Sequence, residues 1–223
     1  MHVLVLDTAL GACQAVVGSS GGVAACARLT PATAQSEAIV RLAEQALEEA
    51  GLAYRDIGRI GVVVGPGSFT GLRVGVAAAR ALALVIGCPA VGLSSLEALA
   101  ASVPAAEAGP CVAAVDARHG AVYAQRFGPS LAPLAPAAHV PVEALVREIE
   151  DGAGLVGSGA PALAEALTAN GRVPGEIAPL AAPDPEALLR LVLAAAPPFS
   201  PPRPAYLKAP DAKPARSLVE PRR

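Results

Sequence analysis

Apolar and polar positions fall into short blocks that predict strands and helices in a regular order. Residues 2–7 (HVLVLD) read as a buried strand, and 12–18 and 23–28 as two more, with Ser19-Ser20-Gly21-Gly22 as the turn of a meander. A 3.6-residue period then predicts a helix over about 36–50, an apolar run a strand over 60–64, and a Gly-rich turn leads into a second long helix over 68–86. A short strand at 90–93 and a helix near 95–103 follow.

The pattern then restarts. CVAAVDARHGAVYAQ repeats the strand–Asp–turn–strand layout of VLVLDTALGACQAVV, with Asp116 standing 109 positions after Asp7. Behind it come a helix near 142–149, a strand at 154–156, the Gly157-Ser158-Gly159 turn, and helices near 162–168 and 185–195. Two mixed sheets with covering helices make an α/β protein of two lobes, similar in layout to the actin, sugar-kinase and Hsp70 group (the ASKHA, ribonuclease H-like fold), whose members set one Asp from each lobe at a nucleotide cleft. The expected organisation is an N-terminal lobe over 1–100, a C-terminal lobe over 101–202, and a basic, Pro-rich tail over 203–223 that can pack back on the first lobe.

Helix faces carry the next message. In the first helix Glu37, Arg41, Glu44 and Glu48 form one polar stripe, while the apolar arc spreads well past the width needed to cover a sheet, with Val40 and Leu47 at its edge. The second helix is apolar almost all round; its charges are Arg73 and Arg80, and Gly71, Gly75 and Ala79 recur at every fourth position. Either these faces meet a partner, through Val40, Leu47, Phe69, Leu72, Arg73, Val76 and Arg80, or they fill a crevice among the chain's own elements. A four-helix contact of this kind is self-complementary and permits a homodimer or a pairing with a paralogue.

Composition narrows the chemistry. A net charge of −2 and a pI near 5.9 give no basic face for a nucleic-acid backbone. The opening residues have no basic region or cleavage site of a secretory signal, and the apolar stretch 74–86 is too short to span a bilayer and carries Arg80, so a cytoplasmic setting without membrane contact is expected. Cys13, Cys26, Cys88 and Cys111 lack metal-ligand spacing, as do the histidines. No metal site and no catalytic motif stands out. The turn Gly65-Pro66-Gly67-Ser68, closing on Gly71, is either a tight strand-to-helix connection or an anion-binding loop with Ser68 as N-cap. Asp7, Asp116, Gly157 and Gly159 either line a nucleotide cleft or terminate strands, which keeps an actin-like ATPase or kinase as the alternative function.

The segments VLVLDTALGAC, GPGSFTGLRVG, LSSLEALA, DARHGAVYAQ, GSGA and PAYLK, in this order over about residues 1–210, resemble the TsaB (YeaZ) family. The resemblance implies a non-enzymatic subunit of the machinery that forms N6-threonylcarbamoyladenosine in tRNA. Its first two helices would dock on the catalytic paralogue TsaD, the ATPase TsaE would join the assembled pair, and tRNA would be met only indirectly. TsaD relatives carry metal-binding histidines on the first helix. Here 34–41 read AQSEAIVR, with Gln35 where many TsaB relatives have His, so neither a metal nor a peptidase role carries over and no cofactor is implied.

Overall fold

The computed structural model describes residues 1–30, 35–104 and 109–208, with residues 35–37 described as backbone; most of the expected tail, 209–223, lies outside them. The first sheet holds β1 (His2–Asp7), β2 (Cys13–Ser19), β3 (Gly22–Leu29), β4 (Ile57–Gly65) and β5 (Ala90–Ser94) in the order β3-β2-β1-β4-β5. β1 runs antiparallel to β2 and parallel to β4. Side chains alternate across a strand, so one strand serves two cores. Leu4 and Leu6 pack with α1 (Gln35–Glu49) and α2 (Phe69–Ile86), whereas Val3 and Val5 face the other way. This two-sided burial explains why HVLVLD is apolar without alternation.

The second sheet repeats the first. β6 (Cys111–Asp116) is antiparallel to β7 (Ala121–Phe127) and parallel to β9 (Gly154–Val156); with β8 (Ala138–Pro141) and β10 (Ile177–Ala178) the order is β10-β9-β6-β7-β8. Each strand thus has a counterpart in the first sheet, and Asp7 and Asp116 end equivalent strands. β8 and β10 escape a sequence reading because they are four and two residues long. On the outer face Val112 and Ala114 pack under α4 (Val142–Val146) and α5 (Ala160–Ala169), as Leu4 and Leu6 do under α1 and α2.

The inner layer is crossed. α3 (Ser95–Ala101) follows the first sheet yet buries Leu96 and Leu99 against Ala113 and Val115 of the second. α6 (Pro185–Ala194) follows the second sheet yet buries Leu188, Leu189 and Val192 against Val3, Val5 and Val63 of the first. The two helices are tied together where Arg190 Nη2 donates to the Ala101 carbonyl at 2.6 Å and the Asp184 N–H donates to Ser102 Oγ at 2.8 Å. Residues 185–208 therefore pack with the first sheet, although the expected C-terminal lobe ran over 101–202, while α3 touches both sheets, with Ala98 in the core of the first and Leu96 and Leu99 in that of the second. The 3.6-residue period reports an apolar face and not the sheet that covers it.

Arg59 on β4 holds the returning chain. Its Nη1 donates to the carbonyls of Val192 (2.7 Å) and Ala195 (3.0 Å), capping the end of α6, and its guanidinium lies 4.6 Å from the centre of the Phe199 ring. Beyond it the strap 199–208 runs over the first lobe, where the Ala205 N–H donates to the Val64 carbonyl at 2.8 Å. Residues 203–208 thus lie against the first lobe, and the rest of the expected tail is outside the described residues.

Candidate functional site

Both strand-end aspartates build the same turn. Asp7 Oδ1 accepts from the Ala9 N–H at 2.9 Å, and Asp116 Oδ1 from the Arg118 N–H at 2.8 Å. Their surroundings differ. Asp7 is fully buried, and its other oxygen accepts from Gln14 Nε2 at 3.1 Å, a group that also donates to the Pro183 carbonyl. Burial pushes the Asp7 carboxyl up, against the lowering pull of the Ala9 amide, Gln14 and Arg28. Asp116 instead lines the cleft between the lobes, and its backbone N–H donates to Ser158 Oγ at 3.1 Å.

That cleft holds a cavity of about 480 Å³ lined by Gly67, Ser68, Asp116, Arg118, Tyr123 and Ser158 among others, and among the described residues Asp116 and Arg118 carry its only charged side chains. The volume suits a small molecule. Gly157 and Gly159 do not line it: their N–H groups donate to Ala178 and Ala114 and fix the turn that presents Ser158. Asp7 lies beneath the floor with both oxygens engaged, so an Asp from each lobe facing one ligand is not assembled. Among the described residues no group of three or more His, Cys, Asp or Glu is placed to hold a metal.

The Gly65–Gly71 segment is explained by close packing. Gly65, at φ 116°, bends the chain out of β4, as Gly157 at φ 101° does out of β9, and the Gly65–Pro66 peptide is cis. A Cβ on Gly67 would run into the Ala9 carbonyl oxygen, and one on Gly75 into Thr8 Oγ1, which itself donates to the Gly71 carbonyl at 2.6 Å. Ser68 caps α2, its Oγ accepting from the Gly71 N–H at 3.3 Å. On the inner side of α2, Gly75 therefore admits Thr8, which follows β1.

The helix faces divide the expected interface residues. Leu47, Leu72 and Val76 are buried in the chain's own core, because α1 and α2 pack on the sheet and against each other, and they present nothing to a partner. Val40 is 42% exposed, and Phe69, Arg73 and Arg80 lie on the outer side of α2. The sequence reading missed the most open apolar groups, Leu84 and Val85, which are 83% and 85% exposed at the end of α2. Leu84 lines a groove of about 630 Å³ between the end of α2 and the strap, together with Cys88, Pro89, Phe199 and Pro202. α2 is, among the described residues, the one helix long and apolar enough to cross a membrane, and its other side is packed into the core.

Residues 19–172 match the family model of TsaD, tRNA N6-adenosine threonylcarbamoyltransferase. Among curated relatives, the chain is 36% identical over 124 residues to the tRNA threonylcarbamoyladenosine biosynthesis protein TsaB of Escherichia coli, spanning 55% of this chain and 53%, about half, of that one. It is 32% identical over 214 residues to an uncharacterized protein of Mycobacterium tuberculosis, spanning 95% of this chain and 94% of the other. Of solved structures, an uncharacterized Pseudomonas aeruginosa protein described as similar to peptidase YEAZ aligns with a TM-score of 0.80 at 24% identity, over 93% of this chain and 99% of that chain. A ROK hexokinase of Thermus thermophilus aligns at 0.51 and 15% identity, over 86% and 98%, which places the fold in the actin and sugar-kinase group.

Proposed function

The chain belongs to the TsaB (YeaZ) family, and on that premise we propose that it acts in forming N6-threonylcarbamoyladenosine in tRNA as a non-catalytic dimerising and activating subunit, paired with a TsaD-type subunit and supporting a TsaE-type ATPase. The carrying observation is the outer face of α2, where Leu84 and Val85 stand almost fully in solvent beside the exposed Ala81 and Ala77. Aliphatic side chains so exposed on one helix mark a face that a partner covers. The buried, fully bonded Asp7 supports the non-catalytic part, since the cleft then offers Asp116 without a second carboxylate.

Co-purification of the full chain with the TsaD-type subunit of the same cell tests the reading. The wild type retains the partner, and Leu84→Glu/Val85→Glu releases it; retention by the double variant counts against the α2 face. The same face serves a homodimer, which sedimentation of the chain alone detects. A nucleotide role is favoured by the cleft cavity alone: heat on titrating ATP and Mg²⁺, lost in an Asp116→Asn variant, supports it, and no heat removes it.

A further inference from the structure

We propose that the cleft between the lobes binds a small zwitterion, a free α-amino acid with an uncharged side chain, held between Arg118 and Asp116. Both residues line the cavity of about 480 Å³ and carry opposite charges. Neither forms an ion pair among the described residues, where the ion pairs are Arg126–Glu148 and Arg172–Asp151. Asp116 spends Oδ1 on the Arg118 N–H at 2.8 Å, while its Oδ2 and the Arg118 guanidinium have no hydrogen-bond partner among the described residues. Two opposite charges that share one cavity without meeting each other are matched by a ligand that carries both. The backbone points the same way. The turn between β6 and β7 holds Arg118 at φ 64° and His119 at φ 53°, a left-handed pair that Asn and Gly adopt most readily. An Arg kept there costs stability, and residues held in such conformations gather where a side chain is used.

The hydroxyls complete the set of donors. Ser158 Oγ accepts from the Asp116 N–H at 3.1 Å and Ser68 Oγ from the Gly71 N–H at 3.3 Å, which leaves each O–H to donate. With the guanidinium they suit a carboxylate, and Asp116 is the acceptor that an ammonium needs. Ser68 starts α2 in the first lobe and the other groups belong to the second, so a ligand held by both bridges the lobes. Tyr123, its ring centre 5.2 Å from that of His139, lines the cavity with the apolar Leu10 and Val115, which is why an uncharged side chain is specified. A polyphosphate fits less well: it would set several negative charges against Asp116, and Asp7 is too deeply buried to help hold a metal.

The inference goes beyond the pairing reading and does not depend on it. The test is thermal melting of the full chain with each uncharged L-amino acid at about 10 mM, followed by calorimetry of whichever raises Tm. At least one should raise Tm and give a saturable heat. Its analogues without the amine or without the carboxylate should bind about tenfold or more weakly. Asp116→Asn, which keeps the oxygen that forms the turn, and Arg118→Gly should each weaken Kd by a similar factor. Arg118→Gly should also melt no lower than the wild type, because Gly relieves the left-handed position, so its loss of binding is not a loss of fold. Leu84→Glu/Val85→Glu should bind the same amino acid with unchanged Kd whatever it does to partner capture, which keeps the two readings separable. No amino acid raising Tm, a singly charged analogue binding as tightly, or unchanged Kd in Arg118→Gly overturns the site. Heat with ATP and Mg²⁺ but with no amino acid assigns the cleft to a nucleotide instead.

Discussion

Replacing Leu84 and Val85 together by Glu separates association from folding, because the two energies come from different surfaces. In the isolated chain these side chains keep 83% and 85% of their surface in water, so the change removes almost no burial. Glu is a good helix former, and stability should move by about 0.5 kcal/mol or less. In a pair that covers them, each would contribute about 1.5–3 kcal/mol, or roughly 3–6 kcal/mol together, before the penalty for desolvating carboxylates. A loss of about 3 kcal/mol already weakens Kd more than a hundredfold. The assay is a titration of labelled chain with the TsaD-type subunit, beside thermal melts of the chain alone. Leu47→Glu and Val76→Glu give the contrast: they place charge in the core and should lower Tm sharply. A double variant that melts like the wild type and still binds with unchanged Kd refutes the assignment.

Three further outcomes follow from the described packing. Gly67→Ala sets a Cβ against the Ala9 carbonyl, with a cost of about 1–3 kcal/mol that thermal melts read as a Tm lowered by several degrees; an unchanged Tm refutes the close approach. Asp7 has a raised carboxyl in the fold, so the protonated form is favoured there: its contribution is complete below the ordinary aspartate range and is lost as pH rises through the raised value. The stability of wild type relative to Asp7→Asn should accordingly fall with rising pH in paired melts, and a difference flat in pH sinks the point. Burial pushes the thiols of Cys13 and Cys111 up to about 11, so an aromatic disulfide reagent at mild alkaline pH should spare both in the native chain and reach all four cysteines on unfolding. Rapid native labelling of either would contradict their placement.

Much of this architecture is legible in the sequence, and the misreadings share a physical cause. The strands at 111–116, 121–127 and 154–156 fall where the apolar runs place them, and the Asp7/Asp116 repeat corresponds to a real duplication of sheet order. A helical period gives the width of an apolar face and not the identity of what covers it. The broad arc of α1 is filled by the sheet and α2, which takes Leu47 inside and leaves Val40 out. Gly75 does admit a close neighbour, but the neighbour is Thr8 of the same chain, whose hydroxyl also donates to the Gly71 carbonyl. Leu84 and Val85 were hidden because a helix apolar all round offers no contrast between core and surface. The contact of Tyr206 with Phe69 and Arg73 shows only once the strap is laid beside α2.

The crossed inner helices impose an order in time. On a ribosome the first sheet is complete once β5 has emerged, yet Val3, Val5 and Val63 wait for the helix at 185–194. At about 5–20 residues per second that bare apolar face is open for roughly 5–20 s. A chain cut before residue 185 should leave that face uncovered and aggregate rather than form an independent half, so the two lobes are made together or not at all.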